Sequence, residues 1–166
     1  MAVACGRSTR SLERTMSSVS EKTRENITKF GCSIIHVMEE GELPPFSYSV
    51  GITEQTGEPE VVVIGLRREL AHSVVNEYNN RVREGERFAP GQLYSGFIEG
   101  FEVLAEEVPL SAYDEYLGQN LRLYGGSNFR VLQLIYPSTS GVWPWAEEAP
   151  ESFRNRQPIL SRAGRA

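Results

Sequence analysis

Phe46-Ser47-Tyr48-Ser49-Val50-Gly51-Ile52 and Glu60-Val61-Val62-Val63-Ile64-Gly65-Leu66 are two strand-like runs that end in turn residues. The Thr53 to Pro59 connection between them is too short for a parallel crossover, so the two strands pair antiparallel. The unbroken apolar run Val61 to Ile64 implies a strand covered on both faces, although so short a run also fits a buried helix. Upstream, Cys32 to Met38 is rich in β-branched residues and reads as a third strand. It is separated from Phe46 by Glu39 to Pro45, a connection carrying charge, Gly and Pro as surface loops do. The three make an antiparallel meander.

Before the meander, Ser20 caps a short helix with Ile27 and Phe30 as buried positions, and Gly31 takes the left-handed conformation that ends it. Arg67 to Glu84 is the strongest helix: Leu70, Val74, Tyr78 and Val82 recur at helical spacing, with Glu69, Glu77, Arg81 and Arg83 off that stripe in solvent. Leu93 to Ile98 and Phe101 to Val108 form a hairpin around Glu99-Gly100. Ser111 with Asp114 resembles a capping box, opening a second main helix that carries Tyr113, Tyr116, Leu117, Asn120, Leu121 and Tyr124 until Gly125-Gly126 stops it. Phe129 to Tyr136 is the last strand. The expectation is an α+β fold, a mainly antiparallel sheet of five to six strands with two main helices, in one compact domain over residues 20–160. Residues 1–19, without apolar periodicity, read as a disordered tail, Met16 as an alternative start, Pro158 to Leu160 as a docking segment and 161–166 as a flexible end. Intact-mass measurement tests the Met16 start.

Composition narrows the function classes. Seventeen Lys and Arg against 22 Asp and Glu give a charge of −5, which supplies no footprint for nucleic-acid phosphates. No apolar run approaches the roughly 20 residues of a membrane span and the N-terminus has no apolar signal core, so the expected location is cytoplasmic. Cys5 and Cys32 make neither a disulfide framework nor a metal-ligand spacing and read as free thiols.

Candidate chemistry is sparse. Cys32 and His36 lie four residues apart on one strand, roughly 13 Å at about 3.3 Å per residue, so they are no nucleophile–base dyad. His72, the other histidine, falls off the apolar stripe of the long helix. Two histidines exclude a His-rich metal site, and no metal or cofactor is expected. Gly65, just before that helix, either lets helix and sheet pack closely or opens an anion site at the helix start. Glu39, Glu40, Glu42, Glu106, Glu107, Glu147 and Glu148 fall in runs and read as solvated faces. The aromatics carry more weight. Trp143 and Trp145 flank Pro144, whose fixed backbone holds them either as a lid on the core or as a rigid contact surface.

The Pro-Pro-Phe-x-Tyr-x-Val-Gly strand at Pro44 to Gly51, the Pro-Glu-aliphatic-Gly-Leu strand at Pro59 to Leu66, and the Leu132 to Pro137 run followed by Pro144-Trp145 carry a resemblance. With Gly85 to Gly100 and Tyr113 to Gly125, these stretches resemble the bacterial family known as domain of unknown function 4262, over roughly residues 20 to 160. The resemblance implies no catalytic residues. Ser138 departs from its pattern, standing where members often show Asp after the Pro. A looser similarity in strand and helix order to suppressor-of-fused-like domains implies a protein-binding or toxin-neutralising module.

With no nucleophile–base–orienter set, the expected function is a non-catalytic binding module for a protein partner, centred on Tyr136, Trp143 and Trp145 with Tyr48 and Tyr94. The alternative is a small-molecule or anion site, or a small enzyme, at Gly65 and His72 near the start of the 67–84 helix. A deep, partly apolar pocket reaching His72 favours the alternative; a filled core with a flat aromatic patch favours the binding module.

Overall fold

The computed structural model describes residues 19–162; the expectations for residues 1–18 (with Cys5 and Met16) and 163–166 lie outside them. Six strands form one sheet in the order β1-β2-β3-β6-β5-β4: β1 Ser33–Val37, β2 Phe46–Val50, β3 Glu60–Ile64, β4 Leu93–Ile98, β5 Phe101–Glu107 and β6 Val131–Ile135. The β1–β2–β3 meander forms as expected, with His36 opposite Ser47 and Tyr48 opposite Val62. β4 and β5 pair across a turn in which Ile98 faces Phe101. The sheet is mixed rather than purely antiparallel, because β6 inserts between β3 and β5 and runs parallel to β3, Glu60 beside Val131. Every residue of β3 and of β6 is buried, as central strands sandwiched between two layers must be.

On one face lies α3, Arg68–Arg83, whose Val74, Val75, Tyr78 and Val82 pack on Val61, Val63, Leu132 and Leu134. Arg81, expected in solvent, is half-buried: its guanidinium lies 4.5 Å from the Phe97 ring centroid and pairs with Glu86 at 2.5 Å. The other face is covered by Ile27 of α1 (Glu21–Phe30) and by Tyr113, Tyr116 and Leu117, packed on Tyr48, Val50, Val62 and Ile64. α1 starts at Ser20, whose hydroxyl accepts from Thr23 N–H, and stops at Gly31 with φ 90°. Phe30 is 57% exposed, not buried: Ile27 already faces the sheet, and the Phe30 carbonyl is held by Asn79 and Arg83 of α3 while its ring points out.

Two expectations about the helices need correction. The Thr53 to Pro59 connection is not a plain loop: it holds the short helix α2, Ile52–Thr56. The second main helix is broken into a 3-10 turn, Leu110–Ala112, then α4, Tyr113–Tyr116, and α5, Gly118–Tyr124. Ser111 sits inside the 3-10 turn and caps nothing, since Pro109 takes the N-cap position. The break falls at Leu117, pulled out of helical geometry (φ −122°, ψ 38°) while its side chain is fully buried. Core packing outweighs the continuity of the helix there.

The C-terminal segment is tied to β6 by two buried glutamines. Gln157 accepts from the Tyr136 N–H at 3.0 Å and donates to the Tyr136 carbonyl at 2.8 Å. Gln133 donates to the Pro158 carbonyl and accepts from Leu160 N–H, so Leu160 docks as expected, 3% exposed. Just before Gln157, α6 (Glu151–Arg156) closes over Gly65, whose carbonyl accepts from Arg156.

Candidate functional site

Three polar or aromatic constellations stand out. The first is sealed in the core. Glu60, at the head of β3, is fully buried and accepts from the N–H groups of Gly51, Ile52 and Thr53 at 3.0, 3.1 and 3.3 Å. Ser49 donates to it at 2.8 Å, and the Tyr124 hydroxyl makes a short bond to its other oxygen. The carboxylate therefore replaces the missing carbonyl partners at the start of α2. Gly51 is required for this: its φ is 108°, and a Cβ there would lie 2.6 Å from the Ile27 side chain. Burial pushes the Glu60 pKa up, and the bonds from Tyr124, Ser49 and the α2 backbone pull it back.

The second constellation is at the surface. Trp143 and Trp145 stack in parallel, ring centroids 5.1 Å apart and planes 8° from each other. Pro144 between them is buried, and the Arg162 guanidinium lies 4.4 Å above Trp145. Trp143 is half-buried and Trp145 is 42% exposed. The turn before them is closed by Ser138, whose hydroxyl accepts from Val142 N–H at 3.2 Å, an acceptor role an Asp fills equally, and whose own N–H donates to the Val142 carbonyl at 2.8 Å.

The tyrosines expected to join this surface do not. Tyr48 is buried against the α4 side of the sheet, where its hydroxyl accepts from Gln119 N–H. Tyr136 is buried on the α3 side and donates to the Ile64 carbonyl at 2.6 Å. Tyr94 packs edge-on against Phe88 and accepts from Ala89 N–H. Each ring is held by the core and each hydroxyl by a backbone group, which is how a tyrosine becomes buriable.

The third constellation is one the sequence did not show. His36 on β1 and Ser47 on β2 are cross-strand partners, and Ser47 Oγ lies 2.7 Å from His36 Nδ1. His36 Nε2 in turn faces Nδ1 of His72 on α3 at 3.3 Å. Burial and then Arg68 and His72 lower the His36 pKa, with Glu69 opposing. His72 also lines a cleft of about 380 Å³ between α1, β1 and α3, with Phe30, Ile34 and Asn76 among its walls. Gly65, the expected companion of His72, is elsewhere: it is buried, and a Cβ there would lie 2.5 Å from the Arg156 carbonyl and 2.7 Å from the Tyr136 hydroxyl. Close packing is the use the fold makes of that glycine.

Residues 26–150 match the model of the family described as a domain of unknown function, DUF4262. The chain belongs to this family. No curated protein and no solved structure matches it. The matched DUF4262 region contains both histidines, Glu60 and both tryptophans.

Chemically, the pieces divide sharply. Cys32 is buried beside the cleft, and burial raises its thiol to about 12, so it stays protonated and unreactive. Ser47 is only 3% exposed, so its hydroxyl orients His36 and is out of reach as a nucleophile. Among the described residues no three His, Cys, Asp or Glu side chains converge as a closed metal cage, and no helix is long and apolar enough to cross a membrane. The histidine pair was hidden because the sequence places its members on different elements 36 residues apart. The β1–β2 register brings Ser47 to His36, and the packing of α3 on β1 brings His72.

Proposed function

We propose that this protein is a non-catalytic binding module of the bacterial cytoplasm that holds a protein partner against the Trp143–Trp145 stack. The carrying observation is the stack itself: two indoles set parallel by a buried proline, with Trp145 held by Trp143 and Arg162 and still 42% exposed. Indoles held rigidly lose little side-chain entropy on binding, and Trp is enriched among residues that dominate protein interfaces. The net charge of −5 favours a partner with a basic rim, and the looser likeness to suppressor-of-fused-like domains points the same way. Native mass spectrometry of the protein isolated gently from its own host tests this, comparing wild type with Trp143→Ala and Trp145→Ala. A stoichiometric protein adduct lost in variants that still melt cooperatively supports the proposal; equal binding by those variants sinks it.

The cleft that reaches His72 favours a second reading, a small-molecule site. A small-molecule mass retained by both tryptophan variants and lost in His72→Ala selects that reading instead.

A further inference from the structure

We infer that His36 and His72 together chelate one divalent, imidazole-preferring transition-metal ion at the seam of β1 and α3. They are the only two histidines in 166 residues. The fold brings them from 36 positions apart to an Nε2–Nδ1 separation of 3.3 Å. Two nitrogens bound at about 2.05 Å on corners of a tetrahedron stand about 3.3 Å apart, so the pair already has the bite of a metal chelate.

Ser47 completes the argument. It engages Nδ1 of His36 at 2.7 Å and is itself buried, which fixes the ring and leaves Nε2 as the free, coordinating nitrogen. A second-shell bond to the far nitrogen is the usual support of a metal-bound imidazole. In the tautomer in which His36 Nδ1–H donates to Ser47, His72 Nδ1–H donates to His36 Nε2 in the absence of metal. The metal takes that proton's place: the proton moves from Nδ1 to Nε2 of His72, which is exposed and can tilt so that both lone pairs point to one spot. Glu69, three residues before His72 on α3, adds favourable charge and Arg68 opposes it. The remaining coordination positions fall to water or to an external donor, since no third ligating side chain joins the pair among the described residues. Imidazole donors and the affinity order of divalent metals point to Cu²⁺, Ni²⁺ or Zn²⁺ rather than Mg²⁺ or Ca²⁺.

The test uses the untagged full chain carrying Cys5→Ser, so that the thiol outside the described residues does not compete. Calorimetric titration with Zn²⁺ alone and with Ni²⁺ alone is compared with His36→Gln, His72→Gln and Ser47→Ala in the same background. One saturable site is expected, weakened at least tenfold by either histidine replacement and about 10- to 100-fold by loss of Ser47. Ring NMR signals of both histidines should shift together with Zn²⁺ and broaden with Ni²⁺. His72 is exposed, so His72→Gln keeps the fold and remains decisive even where Ser47→Ala does not. Zn²⁺ binding that survives His72→Gln, or the absence of a saturable site in the wild type, overturns the inference. Neither result bears on the Trp143–Trp145 proposal, whose variants leave both histidines intact.

Discussion

Glu60 and His36 both bring an ionisable side chain into contact with the core, and they are handled in opposite ways. Glu60 has every acceptor direction filled from within: three backbone N–H groups, Ser49 and Tyr124. His36 has one nitrogen tied to Ser47 and the other aimed at a second titratable ring at the surface. A polar group whose partners are all supplied by the fold contributes to specifying that fold, and removing a partner is costly in a low-dielectric interior. A polar group left with an open valence beside solvent contributes little to stability and remains available for a ligand.

The sharpest way to break this contrast is Glu60→Gln. The amide offers one acceptor and one donor to a ring of donors, and unfolding in urea should show a loss of about 2 to 4 kcal/mol. A loss near zero would mean the hub is not the tie it appears by geometry. Gly51→Ala strikes the same hub from the backbone side; positive φ and the Ile27 contact together should cost about 2 to 3 kcal/mol by the same measurement. Tyr124→Phe removes one donor and should cost about 1 kcal/mol, and because that donor lowers the Glu60 pKa, the pKa should rise further in the variant. His72→Gln should change stability by less than about 0.5 kcal/mol, the signature of an uncommitted surface group.

Acidity sharpens the contrast further. The folded-state pKa of Glu60 is raised, so the folded protein binds that proton more tightly than the unfolded chain. Its contribution to stability is therefore full below the unfolded carboxyl value, about 4.3, and declines as pH rises through the raised folded value. Urea midpoints measured across that window should fall with rising pH in the wild type relative to Glu60→Gln. A gap that widens instead would reverse the sign assigned to this group.

What the sequence revealed and what it hid follow from how far apart the interacting residues are. The six strands were legible because β-branched runs and the Glu99-Gly100 turn are local signals, and α3 because its stripe repeats over four turns. The parallel β3–β6 pair was not, since Val61 to Ile64 reads the same whichever neighbour covers it. The break at Leu117 reflects tertiary packing that outweighs local helix preference. At the candidate sites, the Trp-Pro-Trp segment announced a rigid aromatic feature, whereas Tyr48 and Tyr136 were misplaced because a tyrosine with a backbone partner is as much a core residue as a surface one. The Ser47–His36–His72 chain and the Glu60 hub needed register and crossover together.

The position of β6 also bears on how the chain must assemble. Ser33 to Ile64 and Leu93 to Glu107 are each locally paired units, and the strand that joins them, β6, is synthesised after both. Until residues 131–135 leave the ribosome, both units present an unpaired inner edge, β3 on one and β5 on the other. Ordering of the whole sheet thus waits on long-range closure, a slow step, and the nascent protein is most exposed to wrong pairing just before it becomes safe.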